Sequence, residues 1–123
     1  MMPSLRLRGR TRLLVAGAVC AVIWLPAPSA EAASTRSCRP VVNPYPDSRF
    51  EGVDLRRIRA TGVSCRTARR VARRAHRKAL GLPLPSGGVR RFRWRSWRVT
   101  GDLRGSTDRY VARRDGDRVR WVF

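Results

Sequence analysis

The sequence predicts a small α+β domain in which one amphipathic helix packs on a small antiparallel sheet, in the order strand, helix, three strands, with one disulfide. Three observations support this fold class. An alanine-rich segment with helical spacing follows Ser64, aromatic residues alternate with arginines after Val89, and Asp115-Gly116 gives a strong hairpin signal near the end of the chain. We place this domain at residues 55–123.

The first quarter of the chain has the pattern of an export signal. Arginines at positions 6, 8, 10 and 12 precede an apolar run, Leu13–Leu25, and Ala30-Glu31-Ala32 then supplies small residues for cleavage. We therefore predict that residues 1–32 are a secretory signal peptide and that the protein is secreted and extracellular. An uncleaved membrane anchor is the alternative, although the apolar run is shorter than the roughly 20 residues that a bilayer span requires.

Residues 33–54 form a predicted extended leader, because its prolines at positions 40, 44 and 46 exclude a helix. Val41, Val42 and Tyr45 could lie on the apolar surface of the domain. Two cysteines, Cys38 and Cys65, remain after removal of the signal peptide, and an even pair in an exported protein predicts a disulfide. Two free thiols are the alternative. No metal site is predicted, because two cysteines and one histidine are too few ligands.

Ser64–Gly81 has the pattern of an amphipathic helix, because its small and apolar residues fall on one side of the helical wheel. Ser64 can act as the N-cap by accepting a hydrogen bond from a free backbone N–H, and Gly81 is expected to end the helix with a positive φ. Alanine buries little area, so the facing sheet must supply the bulky side chains. This alanine arc comprises Cys65, Ala68, Val71, Ala72, Ala75 and Ala79.

The strands are predicted from alternation. Leu55–Val63 predicts a short strand before the helix, and Val89–Val99 predicts one strand with a bulge at Ser96, where the alternation changes phase. Thr100–Asp108 is a predicted polar loop. The C-terminal segment predicts a hairpin with a type I′ turn at Asp115-Gly116. Its register pairs Arg114 with Asp117, Ala112 with Val119 and Tyr110 with Trp121, so that one face of the hairpin is apolar.

Gly62-Val63-Ser64-Cys65, at the start of the alanine-rich helix, resembles a group of small secreted actinobacterial proteins of uncharacterised function. In that group an early cysteine precedes this segment, and an aromatic-x-Cys strand and a Tyr-x-Cys strand follow it. Cys38 and Cys65 match the first cysteine pair. The second pair is missing, since Trp97-Arg98-Val99 and Tyr110-Val111-Ala112 stand where it would be expected. The resemblance implies a fold and an extracellular address, and it implies no catalytic residues.

The inventory of reactive side chains argues against an enzyme. His76 is the only histidine, and Glu51 is the only glutamate outside the predicted signal peptide. A secreted ribonuclease built from these two residues and an arginine is the enzymatic alternative, but no spacing supports that constellation, and a general base needs an orienting partner. We interpret His76 as a half-buried packing residue, and we predict no catalytic residues, no cofactor and no small-molecule substrate.

The formal net charge of +20 comes almost entirely from arginine. We predict weak binding to polyanionic surfaces such as cell wall, nucleic acid or lipid, without specific nucleic-acid recognition. The candidate anion-binding residues form the outer arc of the helix, Arg66, Arg70, Arg73, Arg74 and Arg77. A second basic surface is expected on the sheet, with Arg91, Arg93, Arg95, Arg113, Arg118 and Arg120.

The sequence also allows other interpretations of this charge. The protein could be membrane-active or antimicrobial, although insertion favours large apolar residues where this helix has alanine. It could inhibit a secreted enzyme through the loop Leu82–Gly88. The arginine content could also reflect codon usage in a GC-rich genome and form only a solvated surface.

Overall fold

One helix covers one face of a six-stranded antiparallel sheet in the part of the chain that the structure describes. The computed structural model describes residues 17–25 and 34–123. The α+β class, the helix-on-sheet packing and the single disulfide that the sequence predicts are confirmed. The elements, in chain order, are β1 (Thr35–Ser37), β2 (Arg56–Thr61), α1 (Cys65–Leu80), β3 (Val89–Trp94), β4 (Trp97–Asp102), β5 (Arg109–Arg114) and β6 (Asp117–Val122).

Most of the predicted signal peptide lies outside the described residues, including the proposed cleavage site at Ala30-Glu31-Ala32. Residues 17–25 are exposed, form neither helix nor strand and contain a free cysteine, Cys20. Of the helical residues that the structure describes, none form a segment with the length and apolarity that a bilayer span requires. Export therefore stays a prediction from sequence.

The helix α1 connects β2, which is next to one edge of the sheet, with β3 at the opposite edge. The strands lie in the order β1-β2-β6-β5-β4-β3, so the chain leaves β2, passes over one face as α1 and enters the far edge at β3. A helix of 16 residues is about 24 Å long. The four strand spacings from β2 to β3 amount to roughly 19 Å. The helix is therefore long enough to cover most of the sheet in one pass.

The two ends of α1 are held by different means. Ser64 is the N-cap, as predicted, and its side chain accepts a hydrogen bond from the backbone N–H of Thr67. Gly81 has φ −87°, so the left-handed end predicted there is wrong. The backbone N–H groups of Gly81 and Leu82 instead donate to the carbonyls of Lys78 and Ala79 and close the last turn, and the Arg90 guanidinium donates to the Ala79 carbonyl as well, over 2.6 Å.

The core lies between the alanine arc and the bulky side chains of the sheet. Tyr110 and Trp121 stack across β5 and β6, with ring centroids 5.3 Å apart and planes 4° apart. Tyr110 also covers Gly101 on β4, where any Cβ would run into its ring. The principal buried residues are Leu55, Ile58, Ala60, Ala68, Val71, Ala72, Ala75, Ala79, Trp97, Val99, Tyr110, Ala112, Val119 and Trp121.

The structure differs from the sequence prediction over Val89–Val99. This segment is a hairpin rather than one bulged strand, because Arg95-Ser96 forms a two-residue turn that brings Trp94 opposite Trp97. Arg95 carries the positive φ of the turn, 52°. A bulge and a two-residue turn both return the aromatic residues to the core face, so the alternation alone does not distinguish them.

The C-terminal hairpin confirms the predicted register, with Arg114 opposite Asp117, Ala112 opposite Val119 and Tyr110 opposite Trp121. The turn type differs from the prediction. Asp115 has φ 51°, but Gly116 has no positive φ, whereas a type I′ turn needs positive φ at both central residues. The positive φ falls on aspartate, which is among the residues that tolerate this region best.

The leader packs on the domain and contributes to its core. Cys38 is bonded to Cys65 with a Cα–Cα distance of 5.3 Å, within the ordinary range for a disulfide, and β1 pairs with β2. Val41 forms a bridge with Leu55, and Tyr45 is buried, as expected for both side chains. Val42, in contrast, is 73% exposed, so the position expected for it on the apolar surface is wrong.

The disulfide is expected to supply a large part of the stability of so small a domain. The bridge closes a loop with a sequence separation of 27 residues, for which the chain-entropy relation gives about 3.5 kcal/mol. A Cys38→Ser/Cys65→Ser variant should lose about that much free energy of unfolding in chemical denaturation. Cys20→Ser in the full chain is the control and should change nothing. Equal stability of the double variant and the wild type would contradict the tether.

Val99 and Ala112 face each other across β4 and β5, and both are buried. Arg114 and Asp117 close the C-terminal hairpin, so hydrogen-bonded pairs alternate from there and Ala112 directs its backbone groups toward Val119. The Val99–Ala112 pair is therefore non-hydrogen-bonded, with Cα atoms about 4.5 Å apart. That distance is within the range that a disulfide can bridge.

A Val99→Cys/Ala112→Cys variant is therefore expected to form a second disulfide on oxidation and to unfold at a higher temperature than its reduced form. Intact mass and thiol labelling measure the bond. Val99→Cys/Val119→Cys is the matched control, because these residues share the core face but lie two strand spacings apart, roughly 9.6 Å. Persistence of free thiols at positions 99 and 112 would contradict the register.

Candidate polyanion-binding surfaces

The outer helix arc predicted from sequence is accessible along its whole length. Helical spacing turns its five arginines away from the buried alanine arc, and all five are exposed: Arg66, Arg70, Arg73, Arg74 and Arg77. The first turn of α1 contains no acidic residue, and its last turn carries Arg77 and Lys78. The arc is therefore a basic surface that carries no compensating carboxylate on the helix itself.

Two open clefts border this outer helix arc. The larger, of about 510 Å³, lies between Pro44 of the leader and Trp94 of β3, with arginines 73, 74 and 77 between them. The smaller, of about 280 Å³, is bounded by Val41 and by arginines 66, 69, 70 and 73. The leader thus forms one wall of both clefts, and a small anion can be contacted there by guanidinium groups from more than one helical turn.

The opposite face of the sheet carries a row of arginines that the strand register aligns. Arg93 pairs with Arg98, Arg98 with Arg113, and Arg113 with Arg118, so that one arginine from each of β3, β4, β5 and β6 stands side by side. We call these four residues the arginine ladder. Three of them are exposed, and Arg118 is half-buried. Alternation along the strands places them on the face away from α1.

A second row lies next to the arginine ladder on the same face. It begins with Arg91 on β3, passes through Thr100 and Val111 in the middle of the sheet, and ends with Arg120 and Arg59. The short side chains in the middle leave an open depression of about 460 Å³ between arginines of the two rows. The result is a flat basic surface with its highest density of charge along the ladder.

Most of the arginines expected on the sheet are found there, but two positions need correction. Arg95 lies in the β3–β4 turn, with its guanidinium 5.3 Å from the ring centroid of Trp94, and so does not belong to the strand face. Arg98, which the sequence prediction omitted, is a central member of the ladder. Both differences follow from the turn at Arg95-Ser96, since only the hairpin register places Arg98 beside Arg93.

Like charges directly opposite each other on a sheet are destabilising. The two ion pairs found within residues 17–25 and 34–123 lie elsewhere. They join Arg104 to Asp102, where the guanidinium lowers the pKa of the carboxyl to about 2, and Arg114 to Asp117. The ladder therefore carries an electrostatic cost that a bound anion would relieve.

Comparison of the chain with protein-family models, with curated proteins and with solved structures found no match.

His76 is more deeply buried than predicted, with no accessible surface. Its Nδ1 is 2.7 Å from the Tyr45 hydroxyl, and its ring meets Tyr110 and Phe123, while Nε2 has no hydrogen-bond partner among the described residues. Burial, with a smaller contribution from Arg90, lowers the pKa of His76 to about 4. The ring is thus a neutral packing group that joins the leader to the helix.

Arg90 is a buried cation that the sequence analysis did not single out. Its guanidinium donates to the carbonyls of Ala79, Leu82 and Pro83, and so it fixes both the end of α1 and the following loop. The signal was present in the alternation, because Arg90 has the same parity as the inward-facing Phe92 and Trp94. An arginine at an inward position indicates a structural guanidinium rather than a free surface charge.

The buried imidazole predicts a defined loss of stability in acid. Unfolded His76 takes up a proton near pH 6.5, whereas the folded residue resists protonation down to about pH 4. The stability that the neutral imidazole contributes is therefore fully present above pH 6.5 and is lost as the pH falls to 4. The free energy of unfolding falls by roughly 3 kcal/mol in total over this range. Denaturation at several pH values measures this slope.

His76→Asn is the matched variant, because it removes the titrating group and retains an amide near Tyr45. Its free energy of unfolding should vary less than that of the wild type between pH 6.5 and 4. Tyr45→Phe should retain the wild-type slope, since burial is the main cause of the low pKa. The same slope in wild type and His76→Asn would contradict the assignment.

Proposed function

We propose that the protein is a secreted, non-enzymatic interaction module that binds anionic polymers and surfaces weakly through its arginines. The single observation that carries this proposal is the uncompensated arginine surface on both faces of the domain, the outer helix arc on one side and the arginine ladder on the other. Export is supported by the signal pattern of residues 1–32 and by the Cys38–Cys65 disulfide, because such bonds persist in oxidising compartments.

Weak, salt-dependent binding follows from the way the charge is distributed. Arginines on two opposite faces produce a positive field around the whole domain and do not focus it on one deep site. Each guanidinium that pairs with an anionic group releases counterions, so affinity falls steeply with salt. The deeply buried cation, Arg90, is already occupied by backbone carbonyls and does not add to this surface.

A membrane-active or antimicrobial protein is the second candidate, and the packing of α1 disfavours it. Insertion requires an apolar helix face that can enter the bilayer. Here Ala68, Val71, Ala72, Ala75 and Ala79 are buried against the sheet, and the disulfide at Cys65 holds the start of the helix to the leader. The helix would have to leave the sheet before it could insert.

We expect the oxidised protein to bind anionic phosphatidylglycerol vesicles, with an affinity that falls by at least about tenfold between 50 and 200 mM salt. Neutral phosphatidylcholine vesicles are the control and should not bind. A trapped dye should stay inside the vesicles, because the alanine arc is buried. Leakage caused by the intact, oxidised protein would favour the membrane-active candidate, and salt-independent binding would contradict the electrostatic mechanism.

A further inference from the structure

We propose that the arginine ladder is a binding track for a linear polyol-phosphate polymer, that is, a chain of phosphodiesters joined by short polyols without bases. This inference rests on the proposed function and names its principal site and ligand. The site is the row formed by Arg93, Arg98, Arg113 and Arg118 on the face of the sheet away from α1.

The spacing of the ladder suits a repeating anion. Adjacent strands are about 4.8 Å apart, so the four arginines extend over roughly 14 Å in a line that crosses the strands. Guanidinium groups bind phosphate through two parallel N–H···O bonds. Flexible side chains rooted at this spacing can engage successive phosphates of one extended chain, while the backbone beneath them is fixed by sheet hydrogen bonds.

The ladder is better suited to a linear polymer than the outer helix arc is. The helix arginines point in diverging directions around a cylinder, whereas the ladder arginines rise from one face of a sheet. In addition, direct cross-strand pairing of like charges destabilises the free protein, and a polyanion removes this cost when it binds. A polyanion is therefore expected to bind the ladder more tightly than it would from the general attraction of a basic domain alone.

Among the described residues, the face around the ladder presents no row of aromatic rings on which successive bases could stack. The aromatic residues of β3–β6 have the opposite parity to the ladder. Trp97, Tyr110 and Trp121 are buried in the core, whereas Phe92 and Trp94 are partly buried, and Phe92 also lines the depression beside the ladder. Next to the ladder, in the middle of the sheet, lie Thr100 and Val111. Proteins that bind single-stranded nucleic acid use exposed aromatic rings for stacking. The surface therefore fits a phosphodiester chain that presents phosphates and hydroxyls only.

The test compares two variants of the oxidised full chain that lose the same charge. One has Arg→Gln at all four ladder positions, 93, 98, 113 and 118. The other has Arg→Gln at positions 66, 70, 74 and 77 of the outer helix arc. The probe is a fluorescent poly(glycerol phosphate) oligomer of defined length, and its Kd is measured over a range of salt concentrations.

The ladder variant is expected to bind at least about tenfold more weakly, and its slope of log Kd against log salt should fall by about 3, as for four phosphate contacts on a single chain. The helix variant should lose less than about threefold. An equal or larger loss in the helix variant would overturn the ladder as the principal site. If the wild type does not bind the oligomer, vesicles or nucleic acid, the proposed function itself is wrong.

Two further measurements separate binding from folding and from base recognition. The thermal midpoint of the ladder variant should equal or exceed that of the wild type, since like-charge pairs are removed.

Arg98→Lys/Arg113→Lys retains the charge and loses the bidentate geometry, so its affinity should fall while its salt slope is unchanged. If that variant binds as tightly as the wild type, or if an oligonucleotide with equal phosphates binds about tenfold more tightly than the polyol phosphate, the proposal fails.

Discussion

The close packing of an alanine-rich helix on an aromatic sheet is the constraint on which the rest of this structure depends. Alanine side chains let the α1 backbone approach the sheet, and the stacked Tyr110 and Trp121 fill the space that small residues leave. Gly101 belongs to the same arrangement, because only a residue without a Cβ lets Tyr110 lie flat over β4. Once these faces meet, strands β2–β6 each have one side committed to the core, so most of their arginines occupy the other side, and Arg90 is a buried exception.

The separation of a thin apolar core from arginine-rich faces also explains why the domain needs a disulfide for stability. A chain with a formal net charge of +20 repels itself most strongly when compact, and the thin core offers limited apolar area to offset that repulsion. The Cys38–Cys65 bond restrains the unfolded chain, and the Tyr45–His76 hydrogen bond holds the leader to the helix at a second point. Arg90 acts at the other end of α1, where it donates to the carbonyl of Ala79 and to two carbonyls of the following loop.

The sequence was sufficient where one local pattern had one structural solution. Ser64 could serve only as an N-cap before the alanine arc, and Asp115-Gly116 fixed the pairing of Ala112 with Val119. It was insufficient where two solutions share the same alternation. A bulge and a turn at Arg95-Ser96 leave the same residues in the core, yet only the turn places Arg98 between Arg93 and Arg113. The ladder is a property of register between strands, which periodicity within a strand does not contain.

The leader makes the two basic faces differ in shape, because it lies beside the outer helix arc and not beside the arginine ladder. Val41 and Pro44 lie beside the outer helix arc and each line one of the two clefts there. The ladder crosses four strands and is flanked by exposed Arg91 and Arg120, so a chain lying along it meets positive charge on one side as well as beneath. A long polymer gains from each additional phosphate only where contacts continue along a line. The same inward parity that places most of the aromatic residues in the core therefore leaves arginines to form the outer face that we propose for phosphate.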